Sequence, residues 1–252
     1  MKIAFITGTT SGFGKAIALR LAKLGYNVII TGRRKERLDE LAENIRNHYS
    51  VNVLPLCFDV RDKDACRLAV EDLPPEWKKI DLLVNNAGLA SGASPFNECD
   101  LDDWDKMVDT NVKGLLYISR FITPLMVAAQ SGHIINLSSI AGIEVYPNGN
   151  VYCGTKHAVN AITKGMRLDL LKHNIKVSSV SPGAAETEFA MVRYHGDKAK
   201  ADAVYSGLTP LNAEDIADAV EYIVTRPAHV NINDIFLTPA RQANNYLFNR
   251  SE

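Results

Sequence analysis

Seven short runs rich in β-branched and other apolar residues recur along the chain with helical segments between them. The runs are "IAFIT" (3–7), "NVIIT" (27–31), "NVLPLCF" (52–58), "DLLVN" (81–85), "HIINLS" (133–138), "IKVSSVS" (175–181) and "INDIFL" (232–237). Segments such as 15–25, 35–48, 101–129 and 151–174 carry apolar residues at helical spacing. Strands buried on both faces read as continuous apolar runs, and strict strand–helix alternation implies a parallel sheet with right-handed crossovers. The expected fold class is α/β: an open, doubly wound parallel sheet flanked by helices on both faces. Its ligand belongs at the carboxyl ends of the strands.

The length of 252 residues suits one large domain, and no composition break asks for two. One stretch interrupts the alternation. Residues 184–212 carry no strand of their own, and "YHGDKAKADAVYSG" is polar and rich in small residues. An excursion of that length at the carboxyl edge predicts a lid over the site. After it, Asn212 with Glu214 and Asp215 has the form of a helix N-cap.

A formal net charge of −1, with both signs interspersed, gives no support for nucleic-acid or membrane-surface partners. Cys57, Cys66, Cys99 and Cys153 form no C-x-x-C and no metal-like cluster, so free thiols in a reducing, cytosolic setting are expected and a structural metal is not. The opening apolar run is too short for a signal peptide, and no stretch approaches the ~18 apolar residues of a membrane span.

The first run enters "TGTTSGFG", with Gly8, Gly12 and Gly14. Glycines here permit a tight turn that brings backbone N–H groups against a pyrophosphate at a helix N-terminus. The spacing is G-x-x-x-G-x-G rather than the commoner G-x-G-x-x-G, and position after the first strand gives it its weight. The second run ends in "TGRR". NAD-selective sites place a carboxylate about here. Arg33 and Arg34 instead suit the extra 2′-phosphate of NADP, which guanidinium groups bind by charge-assisted hydrogen bonds. Lys15 is assigned no role.

"NNAG" (85–88), "TNVKG" (110–114), "NLSS" (136–139), "YCGTK" (152–156) and "PG" (182–183) follow in order. With the glycine turn they make the chain resemble the short-chain dehydrogenase/reductase family from end to end, which implies a single Rossmann-type domain over 1–252 and a dimer or tetramer. The resemblance makes Tyr152 the general acid/base, Lys156 its activator and ribose ligand, Ser139 the group holding the substrate oxygen, and Asn111 part of a proton relay. Ser138 is the near rival of Ser139. The same resemblance places the cofactor against Gly8, Thr10, Ser11, Gly12, Phe13, Gly14, Asp59, Val60, Asn86, Ala87, Gly88, Pro182, Gly183 and Thr187.

An ordinary tyrosine, of pKa about 10, needs about 4 kcal/mol of preferential phenolate stabilisation to ionise near neutrality. One ammonium about 4 Å away supplies roughly that at an effective dielectric near 20. Tyr152 and Lys156, four apart on a helix, would meet on one face. His157 and Cys153 point elsewhere.

Further segments, among them "PEWKKIDLLVNNAGLA", "TEF" (187–189) and "PAHVNIN", resemble the NADP-dependent 3-hydroxy acid dehydrogenases within that family, which act on serine, L-allo-threonine and 3-hydroxypropionate. Glu186 departs from the pattern and introduces acidity near the cofactor. A hydroxy acid needs a cation for its carboxylate, and Arg193 in "VRYHGD" is the candidate. Reduction of uncharged ketones or aldehydes on the same machinery, or NADPH sensing without turnover, stays open at this level.

Overall fold

The computed structural model describes residues 1–251. Its seven-stranded, all-parallel sheet has the order β3-β2-β1-β4-β5-β6-β7. The strands are β1 (Ile3–Ile6), β2 (Asn27–Gly32), β3 (Val53–Cys57), β4 (Leu82–Asn85), β5 (Gly132–Leu137), β6 (Ile175–Pro182) and β7 (Asp234–Leu237). All seven expected strands form, each within about two residues of its apolar run. Pro55 lacks the N–H a central strand needs, and β3 accordingly lies at the sheet edge.

One face of the sheet is covered by α1 (Gly12–Lys23), α2 (Lys35–His48) and α9 (Ala213–Val224), whose Ile17, Leu21, Leu38, Leu41, Ile216 and Val220 share one core with residues of β1, β2, β4, β5 and β6. The other face carries α3 (Lys63–Glu71), α5 (Leu115–Ala129) and α6 (Asn150–Leu170), with α4 (Leu101–Val108) packed against α6. Helix α3 had no clear sequence signal. It has only nine residues, and its start is set by Asp62, which accepts from the amides of Asp64 and Ala65.

One expectation needs correction. The stretch 101–129 is not one regular helix, because Asp109–Gly114 forms a π-helical turn between α4 and α5. By length and mean hydropathy alone the whole stretch would also pass for a membrane-spanning helix. Its stripe Ile118, Ile122 and Met126 is wholly buried in the core layer, as in a helix that packs on a sheet.

The excursion after β6 holds two short helices, α7 (Phe189–Arg193) and α8 (Lys198–Tyr205), and a parallel bridge between Ala185 and Leu211. Asn212 caps α9 in a reciprocal capping box with Asp215, as its spacing predicts.

The sheet reverses direction of winding between β1 and β4, where a crevice opens at the carboxyl ends. A buried amide chain braces the neighbouring strand ends. Asn85 Nδ2 donates to Ser119 Oγ and Asn136 Oδ1, each at 2.9 Å, and Asn136 Nδ2 donates to Thr163 Oγ1 at 2.9 Å. It ties β4 and β5 to α5 and α6, the helices that border the site.

Candidate active site

Helix α6 turns Tyr152 and Lys156 inward, 8% and 6% exposed, so both long polar side chains sit in the interior rather than on a solvated face. The Lys156 ammonium donates to the Leu137 carbonyl at the end of β5, at 3.0 Å. Ser139 follows that strand end. Its hydroxyl oxygen accepts from the Ala141 amide at 3.1 Å, lies 3.4 Å from the Pro182 carbonyl, and faces the Tyr152 phenol. Ser138 turns away to the Lys156 carbonyl at 3.4 Å. The geometry therefore separates the two serines.

Asn111 comes from the π-helical turn. Its Nδ2 donates to the Leu89 carbonyl at 2.7 Å and to Thr155 Oγ1 at 3.1 Å, and its Oδ1 accepts from the Leu89 amide at 2.8 Å. Gly88 stands between Asn111 and Lys156. A Cβ there would lie 3.3 Å from Asn111 Oδ1 and 3.5 Å from Lys156 Nζ, so glycine keeps the space between them open.

Burial is the first influence on the electrostatics of this pair. Burial pushes the Tyr152 phenol above its ordinary value, while the Ser139 hydroxyl and the Arg193 charge pull the other way. The Lys156 ammonium lies 5.9 Å from the centre of the Tyr152 ring, and burial brings its own pKa down to about 8. Burial disfavours the charged form of each group, the phenolate and the ammonium alike.

Arg193, from the end of α7, is drawn into the same pocket. Its Nη1 donates to the Tyr146 hydroxyl at 2.8 Å and its Nε to the Gly92 carbonyl at 3.3 Å, while the Gly92 amide donates to the Arg193 carbonyl at 2.9 Å. The guanidinium lies 5.9 Å from the Tyr152 ring. One residue pair further, His195 Nε2 meets Asp103 Oδ2 at 3.0 Å. The cavity here, about 300 Å³, is lined by Ser91, Asp103, Trp104, Asn148, Tyr152 and Arg193, among others.

A glycine turn, an inward Tyr–Lys pair one helical turn apart and a serine facing the phenol now stand together at one crevice. The profile of the short chain dehydrogenase family matches residues 2–198. The chain belongs to that family. Among proteins it resembles is a sulfoacetaldehyde reductase of Chromohalobacter salexigens, 45% identical over 242 residues, which are 96% of this chain and 95% of the other. An NADP-dependent 3-hydroxy acid dehydrogenase of Salmonella typhi is 44% identical over 96% of each chain. The solved closed form of serine dehydrogenase complexed with NADP⁺ is 41% identical, with a TM-score of 0.93 over 99% of this chain and 100% of that one.

In this short-chain dehydrogenase the glycine turn fits a dinucleotide phosphate. Gly8 and Gly12 hold positive φ (71° and 51°), and a Cβ on Gly14 would run into the Gly8 carbonyl. Helix α1 has no side-chain cap at Ser11 and no acidic residue in its first turn, so its amide ends are left for an anion. Phe13 packs on the core behind the turn. The Asn86 amide braces the turn, donating to the carbonyls of Thr7 and Gly8 at 2.8 and 3.0 Å, and the Ala87 amide donates to Thr7 Oγ1 at 2.9 Å. Asn86 Nδ2 is thus committed to the turn.

On the far side, Thr187 lies against Gly12, 3.4 Å from where its Cβ would be. Gly183 is tied by its amide to Leu237, and Pro182 ends β6 beside Ser139. Glu186 is exposed, and its charge acts on Tyr205, whose phenol burial pushes up to about 12. Arg34 Nε and Nη2 donate to Thr10 Oγ1 at 3.0 and 2.8 Å, and Nη2 also reaches Ser11 Oγ at 2.8 Å. Arg33 lies 3.5 Å from Asp59, which also pairs with Arg61 at 2.6 Å, and Val60 is buried beside them against Gly114. Arg37, Arg61, Tyr146, Asp103 and His195 had no place in the sequence reading. Only Arg37 carried a usable signal, one helical turn beyond Arg34 in "RRKER".

Proposed function

We propose that this chain is an NADP-dependent dehydrogenase of small 3-hydroxy acids, interconverting them with 3-oxo acids, and that Tyr152 is its general acid/base. The observation that carries the reading is the placement of Arg193, a guanidinium in the reactive pocket beside the Tyr152 ring. A planar carboxylate pairs well with it, and a sulfonate presents the same charge. The relatives named for 3-hydroxy acids, serine and sulfoacetaldehyde all act on small substrates with an anionic end.

Ser139 would donate to the substrate oxygen as charge builds on it, and Tyr152 would give that oxygen its proton in reduction or take it in oxidation. Asn111 and Lys156, facing each other across Gly88, would carry the proton between the phenol and solvent. The bound nicotinamide supplies or accepts the hydride. Arg33, Arg34 and Arg37 at the end of β2 would hold the 2′-phosphate, and the glycine turn the pyrophosphate. Residues 184–212 would act as the lid that brings Arg193 to the pocket.

The four thiols are free in the fold, which supports a cytosolic setting. Exposed Leu116, Leu168 and Leu171 on α5 and at the end of α6 support assembly into a dimer or tetramer.

The test is the initial rate of NADPH formation with L-serine, L-allo-threonine, 3-hydroxypropionate and isethionate, beside a matched uncharged alcohol and NAD⁺. Turnover of the anionic substrates with NADP⁺, lost in Tyr152→Phe, is the expected result. Preference for the uncharged alcohol would remove the anion subsite while keeping the machinery. Tight NADPH binding with no turnover on any of them would point to a sensor.

A further inference from the structure

Glu188 precedes α7, in the excursion after β6, yet its carboxylate reaches the end of β2. Its Oε2 accepts from Arg34 Nη1 at 2.9 Å and its Oε1 from Arg37 Nη1 at 2.6 Å, across 154 and 151 positions of sequence. Arg34 is held in place on its other edge. Gly32 leaves room for the Thr10 side chain to sit against β2, and Thr10 and Ser11 hydroxyls take Arg34 Nε and Nη2. The nitrogen of Arg34 not engaged by Thr10 or Ser11, Nη1, is the one that donates to Glu188. Arg33, for its part, already faces Asp59. The cavity alongside, about 710 Å³, is lined by Thr10, Ser11, Lys15, Arg37, Glu40 and Glu188, so it brings one further acid and one further cation to the same place.

A 2′-phosphate is a near-dianion that seeks outward guanidinium donors, and a carboxylate already on them competes by occupancy and by like charge. NAD has no phosphate at that position and leaves the pairing undisturbed.

We infer that Glu188 is a built-in counter-anion of the 2′-phosphate subsite, a specificity-determining residue that restrains NADP binding while leaving NAD binding unaffected. The inference rests on the NADP reading above. It makes the two cofactors differ in what they do to the excursion: NADP displaces Glu188 from Arg34 and Arg37, and NAD does not. Holding Arg34 and Arg37 ready when no cofactor is bound, Glu188 also keeps two neighbouring guanidiniums from repelling each other.

The experiment is calorimetric titration of wild type and Glu188→Gln with NADP⁺, NAD⁺, 2′,5′-ADP and 5′-AMP at low ionic strength. All three charged groups are partly solvated, which limits the expected gain to about five- to tenfold tighter binding of NADP⁺ and 2′,5′-ADP. NAD⁺ and 5′-AMP affinities should not move. Unchanged NADP⁺ affinity in the variant overturns the inference. So does parallel weakening of NADP⁺ and NAD⁺, which would make Glu188 a clasp over the whole cofactor. A wild type that binds both cofactors equally would instead overturn the NADP reading itself, and that result is visible before any variant is made.

Discussion

Arg193 donates to the Tyr146 hydroxyl at 2.8 Å, joining a residue of the segment before α6 to the excursion that follows β6. The guanidinium lies 5.4 Å from the centre of the same ring, beyond its hydroxyl end, so Tyr146 holds the charge through that hydroxyl.

Removing only the hydroxyl tests whether that hold matters to substrate. Tyr146→Phe should raise KM for the hydroxy acids by about tenfold, since a hydrogen bond to a charged group contributes about 1.5–3 kcal/mol when well buried and less here. The matched uncharged alcohol should keep its KM. Equal changes on both substrates would show that Arg193 has no part in recognising the anion.

On the proposed mechanism alcohol oxidation uses the Tyr152 phenolate, and burial holds that phenol above its ordinary value. The rate of oxidation should therefore climb through pH 7 to 9, while reduction, which uses the protonated phenol, should not rise with pH. A pH-independent oxidation rate over that window would assign the proton to another group. Ser139→Ala, which removes a donor that favours the phenolate, should displace the oxidation profile to still higher pH.

A stability effect unrelated to catalysis follows from His133 in β5. It is buried, its Nε2 is 2.8 Å from Ser178 Oγ, and burial with the nearby charges of Lys176 and Lys2 lowers its pKa to about 3. The unfolded chain takes up this proton near pH 6.5 and the folded chain only near 3, so stability is full above 6.5 and falls as pH drops between them. The slope is about 1.4 kcal/mol per pH unit. Urea unfolding at pH 7 and 5 should lose about 2 kcal/mol of its difference in His133→Asn. If the variant keeps the wild-type difference, the pH dependence lies elsewhere.

Gly14 opens no positive φ, yet it cannot carry a Cβ without moving the Gly8 carbonyl and the Asn86 amide that brace the turn. Gly14→Ala should destabilise the fold by about 1–3 kcal/mol, as overpacking does, and weaken NADP⁺ and NAD⁺ together. Thermal unfolding and titration with both cofactors measure this. Normal affinity for both would mean that the turn adjusts without cost to the phosphate.

The strands, the glycine turn and the Tyr152–Lys156 pair were legible because their signals are local. A strand is written in consecutive residues, and two side chains four apart on a helix need no knowledge of the fold. What was missed is written in no local pattern. Glu188 meets Arg34 and Arg193 meets Gly92 across more than a hundred positions, and nothing near any of them announces the partner. The raised Tyr152 phenol was hidden for a related reason. The sequence places Lys156 beside it but says nothing of the walls, Phe189 and Met107 among them, that strip the phenol of water.

The π-helical turn at Asp109–Gly114 sets the phase of the helix that contains it. Each helical residue advances the side-chain direction by about 100°. Upstream, Met107 points to the cluster around Tyr152; downstream, Ile118, Ile122 and Met126 point under the sheet. Deleting one residue within the turn would restore a regular spiral and rotate one half against the other. Either the core stripe or Asn111 could then keep its bearing, but not both, so this short stretch tolerates exchange of side chains far better than any change of length.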